Sequence, residues 1–299
     1  MSRTIDAEFS STLVPSPVKY TVLLHDLYDN SDEPMPLLFH LHGGNGNGHD
    51  FVSTTQVVFD AMWRDGELPP VVVVAPSVRR SFYMDYRDGS QKWETLLVGP
   101  FLAHIRARYR VLPERNGTFL LGISMGGMGG LRMAFKHREL FGGVAAMEPG
   151  IEPALAFRDI KLEDRFWRSE ELFAEIYGKP VDEAYWAANN PANIAQSDLQ
   201  GLAKSKLGIY LEVGDEDSFG LDRGTEFLHR VLRDGGVPHE YHLVRGGDHL
   251  GRTLQPRLRE ALGFIGSQVN PPPPDPIVAG LRKQIAAWKE QAERISRGG

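Results

Sequence analysis

A predominantly parallel α/β protein is predicted, on three observations. Short apolar runs alternate with stretches of helical periodicity along most of the 299 residues. Glycine clusters follow several of those runs directly, as at Gly43-Gly44 and Gly246-Gly247, where a strand would give way to a loop. Finally, Gly122-Ile123-Ser124-Met125-Gly126 reads as a nucleophile elbow, the tight strand-to-helix turn that exposes a serine Oγ at the top of a sheet.

The elements follow in order. Val18 to Leu24 is an early strand, and Pro34-Met35-Pro36 breaks the chain before a second run, Leu37 to His42. Val71 to Ala75 is a wholly apolar strand stopped by Pro76. Leu96, Leu97, Phe101, Leu102 and Ile105 give Trp93 to Tyr109 the period of one helix. Thr118 to Leu121 leads into the elbow. Met125 to His137 then reads as a helix whose four glycines are tolerated if it packs closely on the sheet. Val144 to Met147, Leu207 to Val213 and Glu240 to Val244 complete the strands. A helix from Asp222 to Arg233 lies between the last two, with Asp222 as its N-cap and Gly235-Gly236 past its end.

Two segments break this rhythm. Some 59 residues separate the strand ending at Met147 from the one starting at Leu207. They carry Phe157, Phe166, Trp167, Phe173, Tyr177, Tyr185 and Trp186, so residues 150–206 are expected to form a small helical excursion over the sheet edge. Prolines 271 to 274 and 276 make residues 269–276 a stiff linker. Residues 277–299 then form an amphipathic helix with Leu281, Ile285, Trp288, Ala292 and Ile295 on one stripe, free either to dock on its own domain or to clasp a second subunit. Residues 1–268 are left as the catalytic domain.

Bulk properties narrow the function. Hydrophobic residues at 41% and charged residues at 24% are ordinary for a soluble globular protein, and a net charge of −6 offers no basic footprint for nucleic acid. The absence of cysteine excludes disulfides, thiolate metal sites and a cysteine nucleophile together. No apolar run approaches a membrane span, and Met1 to Tyr20 shows no basic start followed by an apolar core, so the expectation is a cytoplasmic protein.

A serine hydroxyl needs an oriented base to take its proton, and behind an elbow the partners come in the order serine, acid, histidine. His249 ends Gly246-Gly247-Asp248-His249, on a turn after the last strand, and is the candidate base for Ser124. Three carboxylates crowd the loop Asp215-Glu216-Asp217. Asp217 is favoured as the acid, with Asp215, which adjoins the glycine, as the alternative; Asp248 reads as a turn residue. Developing charge on a carbonyl oxygen needs two backbone N–H donors. One is Met125, after the nucleophile, and the other belongs in the loop that begins His42-Gly43-Gly44-Asn45. That loop lacks the ending of a P-loop and the spacing of a dinucleotide fingerprint. His40 and His42 have no evident third partner, so no metal is expected.

With these residues in place, the chain from about Val18 to Gly266 resembles the esterase D branch of the α/β-hydrolase superfamily, which includes S-formylglutathione hydrolases, feruloyl and acetyl xylan esterases and mycolyltransferases. The resemblance rests on Leu41-His42-Gly43-Gly44, Tyr83-Met84-Asp85, Trp93-Glu94-Thr95, Gly122 to Gly127, Gly214 to Asp217 and Gly247-Asp248-His249. It implies Ser124 as nucleophile, Asp217 as acid, His249 as base, Gly44 and Met125 as oxyanion donors, and no cofactor. Trp93-Glu94 resembles a family motif at the active-site rim, and either a substrate role or a helix N-terminal charge suits Glu94. A lack of cysteine and the segment Glu148-Pro149-Gly150 depart from S-formylglutathione hydrolases. The absence of a visible signal sequence departs from secreted wall esterases and mycolyltransferases.

The expected activity is that of a serine carboxylesterase acting on short-chain acyl esters. Trp167 and Trp186 would help roof a small acyl pocket, unless the rings of the excursion merely form their own core. A thioesterase and an acyltransferase are the near alternatives, and a catalytically silent binding protein is the remote one. The expected partner is a small ester rather than nucleic acid or membrane, and the terminal helix offers a route to a homo-oligomer.

Overall fold

A computed structural model describes residues 2–297; Met1, Gly298 and Gly299, at the outer ends of the catalytic-domain and terminal-helix segments, lie outside the described residues. Two compact units divide at Val269.

The first unit is built on eight strands: β1 (Arg3–Phe9), β2 (Val18–Leu24), β3 (Leu37–Leu41), β4 (Val72–Pro76), β5 (Thr118–Ile123), β6 (Gly143–Met147), β7 (Gly208–Gly214) and β8 (Glu240–Val244). They form one sheet in the order β1-β2-β4-β3-β5-β6-β7-β8. β1 and β2 pair antiparallel, as do β2 and β4, and the remaining pairs are parallel. The sheet is therefore the predicted one with an extra edge strand. β1 carries no apolar run; Arg3-Thr4-Ile5-Asp6-Ala7-Glu8-Phe9 lies at the sheet edge with no side chain fully buried.

Side chains alternate across the sheet. Val22, Phe39, Leu41 and Leu120 face one layer, while Leu23, Leu38, Val73 and Leu121 face the other. α1 (Gly48–Arg64) covers the second layer with Val52, Phe59 and Met62, together with α10 (Leu254–Val269), which adds Leu258, Leu262 and Ile265. The first layer lies under α2 (Trp93–Leu96), α3 (Leu102–Arg108), α4 (Met125–Lys136) and α9 (Leu221–Asp234), each contributing buried apolar side chains. Between β6 and β7 the excursion folds as α5 (Glu170–Tyr177), α6 (Glu183–Asn189), α7 (Pro191–Ser197) and α8 (Leu199–Lys204). No helix among the described residues is long and apolar enough to cross a membrane.

Two local readings are corrected. The helix expected from Trp93 to Tyr109 is interrupted by a wider π turn at Leu97–Phe101, which contains Pro100. Proline has no N–H and its ring obstructs the ordinary helical turn, so the chain loosens there before α3 resumes. The helix expected from Asp222 begins instead at Leu221, and Gly220 occupies its N-cap with φ +67°. Asp217 Oδ1 already accepts the Leu221 N–H at 3.3 Å, which leaves Asp222 inside the helix.

Strand register sets the position of the site. Leu41 pairs with Gly122, Ile123 with Met147, Met147 with Glu212 and Gly214 with Val244. The C-terminal ends of β3, β5, β6, β7 and β8 are thus level, and the loops that follow them open on one edge, where α/β sheets bind ligands.

In the second unit, Asp275 Oδ1 accepts the Ile277 and Val278 N–H groups and starts α11 (Pro276–Arg297), with Pro276 at its first position. No residue of α11 is buried.

Candidate active site

Ser124 lies between β5 and α4 with φ +57° and ψ −117°, a conformation that costs a non-glycine residue about 1–3 kcal/mol. Neighbouring strands hold it there. Its N–H donates to the Met147 carbonyl at 2.9 Å, and its own carbonyl accepts the Gly150 N–H at 3.1 Å. The glycines of the elbow are steric requirements. A Cβ on Gly122 would lie 2.3 Å from the Gly126 backbone, and one on Gly126 would lie 2.1 Å from the Leu41 carbonyl oxygen.

The loop after β3 is fixed by His42. Its Nδ1–H donates to the Gly43 carbonyl at 2.7 Å, its Nε2 accepts the Val78 N–H at 3.1 Å, and Tyr83 Oη donates to the His42 carbonyl at 3.0 Å. Those partners select one neutral tautomer, and burial pushes the imidazole below its ordinary pKa. His40 stacks on Phe51 and bonds Thr55, and burial drives it down to about 3. Both histidines are therefore structural. Gly44 and Met125 border the same cleft as Ser124, and Met125, as the first residue of α4, has an N–H with no acceptor inside the helix.

His249 Nδ1 lies 2.8 Å from Asp217 Oδ2, while Asp217 Oδ1 accepts the Phe219 N–H at 2.8 Å. Phe219 sets its ring edge-on to the imidazole at 4.6 Å. The other two carboxylates are turn residues: Asp215 accepts the Gly246 N–H, and Asp248 accepts the Ser218 N–H and hydroxyl. Of the candidates, Asp217 is the one brought to the imidazole.

Glu148, which no sequence motif marks, also reaches the imidazole. It follows β6 with φ +46° and is fully buried. Its Oε1 accepts from Arg257 Nη1, which also bonds Glu212 Oε1 at 2.8 Å. Its Oε2 lies 3.3 Å from His249 Nδ1. Burial pushes this carboxyl up to about 9, aided by the Glu212 and Asp217 charges and opposed by Arg257. The available signal was a carboxylate directly after the strand beside the elbow strand, on the same sheet edge. Glu148, Asp217 and His249 place three ligand-type atoms within 4.8 Å of one another. The imidazole and Asp217 are bonded to each other and Arg257 supplies the positive charge, so the group is built as a hydrogen-bonded acid–base cluster.

Ser124 and His249 open onto a cleft of about 770 Å³ whose walls include Phe82, Trp167, Phe219 and Leu250. Trp167 is thus at the cleft, its carbonyl held by Arg80. Trp93, Glu94 and Trp186 are not. Trp186 is fully buried against Phe157 within the core of the excursion. Trp93 is buried and donates to Gln91 at 2.8 Å. Glu94 meets Arg132 at 2.8 Å and His137 at 3.0 Å, with Lys136 beside them. Burial would raise its pKa, but His137, Arg132 and Lys136 outweigh burial and hold it at about 2. The motif at this helix start therefore braces α4, the helix that carries the elbow, from behind.

A family model described as "Putative esterase" matches residues 10–265. The esterase Rv1288 of Mycobacterium tuberculosis is 29% identical over 256 residues, covering 79% of this chain and 53% of its own. The chain thus spans about half the length of that relative. An acetyl esterase of Caldicellulosiruptor saccharolyticus is 28% identical over 221 residues, covering 73% of this chain and 79% of its own. A solved ferulic acid esterase superposes with a TM-score of 0.73 at 24% identity, over 90% of this chain and 99% of that one, and shares the α/β-hydrolase fold.

Proposed function

The chain belongs to the "Putative esterase" family, and from that membership we propose that it is a serine carboxylesterase that cleaves short-chain acyl esters through an acyl-enzyme. The observation that carries this reading is the 2.8 Å bond from His249 to Asp217 on the cleft that also holds the strained Ser124. Ser124 Oγ attacks the ester carbonyl carbon while His249 Nε2 takes its proton. Asp217 keeps the other nitrogen protonated and stabilises the imidazolium. The N–H groups of Gly44 and Met125 receive the negative oxygen of the tetrahedral intermediate. Collapse breaks the bond to the alkoxy oxygen, which leaves as the alcohol with the proton from His249. Water, deprotonated by the same imidazole, then releases the acid and restores the serine.

Trp167 and Phe219 bound the acyl side of the cleft in this reading. The excursion supplies only part of that wall, since Phe157, Phe173 and Trp186 pack on one another.

The test combines fluorophosphonate labelling with hydrolysis of nitrophenyl esters and of one glutathione thioester. Wild type should label and turn over oxygen esters, and Ser124→Ala should do neither while remaining folded. Ester hydrolysis by the Ala variant at more than a few per cent of wild type would place the nucleophile elsewhere. A rate on the thioester far above that on oxygen esters would reassign the substrate class.

A further inference from the structure

The base faces two carboxyl groups, Asp217 and Glu148, and only one is needed to hold an imidazole. We propose that Glu148 is a positioning residue for His249, sharing the Nδ1 side of the imidazole with Asp217 and assuming the acid's role when Asp217 is neutralised. This rests on the serine-esterase reading above.

The geometry supplies the argument. Glu148 Oε2 lies 3.3 Å from His249 Nδ1, buried and with no hydrogen-bond partner of its own. Its other oxygen is tied to Arg257, so the carboxyl cannot swing away without breaking that contact. The Glu148 N–H donates to the Glu212 carbonyl at 2.7 Å, which fixes the backbone to β7. The charged groups around it are Arg257 from α10, Glu212 from β7, Asp217 from the loop after β7 and His249 from the loop after β8. Asp248 turns its carboxylate to Ser218. Arg257 is shared between Glu148 and Glu212, and burial, with the Glu212 and Asp217 carboxylates nearby, pushes Glu148 well above the usual carboxylate range. Removing the Asp217 charge removes one of the influences that hold the proton on Glu148. Glu148 then ionises at lower pH and presents a carboxylate to the same ring nitrogen.

The experiment uses the whole protein as wild type, Asp217→Asn, Glu148→Gln and the double variant. Fluorophosphonate labelling rate and nitrophenyl acetate hydrolysis are followed against pH, and ¹⁵N spectra report the His249 tautomer. Loss of a sole acid in a serine protease costs about 10⁴ in rate. Here Asp217→Asn should lose about 10², with a rate that climbs with pH as Glu148 ionises, and the double variant should fall to about 10⁴ and lose that rise. The Nδ1–H tautomer should persist in Asp217→Asn and disappear only in the double. An Asp217→Asn protein as inert as the double, with no new pH dependence and a lost tautomer, overturns the proposal even if Glu148→Gln fails to fold. Were the wild type neither labelled nor active, the esterase reading would fail, while the tautomer spectra would still decide the role of Glu148.

The terminal helix carries a second, independent inference. Val278, Leu281, Ile285, Trp288, Ala292 and Ile295 follow one another at spacings of three and four, the a and d positions of a coiled coil. Leu281, Ile285, Trp288 and Ile295 are 50%, 37%, 63% and 70% exposed. We infer that α11 pairs in parallel with α11 of a second copy. No other helix among the described residues has exposed large apolar side chains at heptad spacing, so a second copy is the matching seam that this chain can offer. Charge sets the direction. Arg282 and Lys289 fall at e positions, which oppose each other in an antiparallel pair, whereas a parallel pair sets Lys289 beside the uncharged Gln284.

Sedimentation of the full chain should show a dimer that dissociates on dilution, because the seam is short. Ile285→Asp should be monomeric with ester hydrolysis unchanged. Leu281→Cys, in a chain otherwise free of cysteine, should form a disulfide between copies on oxidation. A monomer at every concentration, a dimer that survives Ile285→Asp, or a Cys variant that does not cross-link would each overturn the inference.

Discussion

The carbonyl oxygen of Leu41 occupies the space into which a side chain at Gly126 would project, 2.1 Å from the Cβ position. Contact between the end of β3 and the first turn of α4 ties the candidate oxyanion loop to the candidate nucleophile. Gly126→Ala should therefore separate the two and abolish fluorophosphonate labelling, with a fall in melting temperature. Gly130 meets nothing closer than 3.4 Å, so Gly130→Ala should be neutral or stabilising by up to about 1 kcal/mol. Equal damage at both positions in thermal melts would contradict this steric account.

Asp215 and Asp217 are two residues apart and do different work. Asp215→Asn weakens a turn contact to Gly246, so its kcat/KM should stay within about tenfold of wild type. Asp217→Asn removes the partner of the imidazole and should cost at least ten times more. Steady-state kinetics on one nitrophenyl ester checks the order. A reversal would mean that Asp215 reaches the base during turnover.

Trp167 and Trp186 should respond in different measurements. Trp167 borders the cleft, so Trp167→Ala should move the rate optimum along an acetyl-to-octanoyl ester series toward longer chains. Trp186 is a core residue, so Trp186→Ala should cost about 3–5 kcal/mol of stability and leave the chain-length order unchanged. A shift in preference from Trp186→Ala would return that ring to the acyl pocket.

Glu94 makes stability depend on acid. Its folded value of about 2 lies below the ordinary 4.5, so folding favours the carboxylate. That contribution, roughly 3 kcal/mol at neutral pH, is fully present above about pH 4.5 and is lost as pH falls through 2. Denaturant melts across that window should show a steeper loss for wild type than for Glu94→Gln. Parallel slopes would remove Glu94 from the acid response.

What the sequence by itself determined is local and periodic. The parallel strands, the elbow and the order of serine, acid and histidine are readable because apolar runs, glycine spacing and strand-end loops impose them within a few residues. Pro100 is equally visible in the sequence, and its missing N–H opposes the continuous Trp93–Tyr109 helix that the apolar periodicity implies. Other assignments depended on contacts between distant segments. Asp215 and Asp217 are chemically alike, and only the approach of the β8 loop puts one on His249 and the other on Gly246. Trp167 and Trp186 are alike too, yet packing of the excursion sends one to the cleft and the other into its core. Glu148 is the clearest case. Arg257, 109 positions away, and the loop after β8 meet it only because the strand ends are level, so its burial, its proton and its place beside the imidazole arise in the tertiary structure.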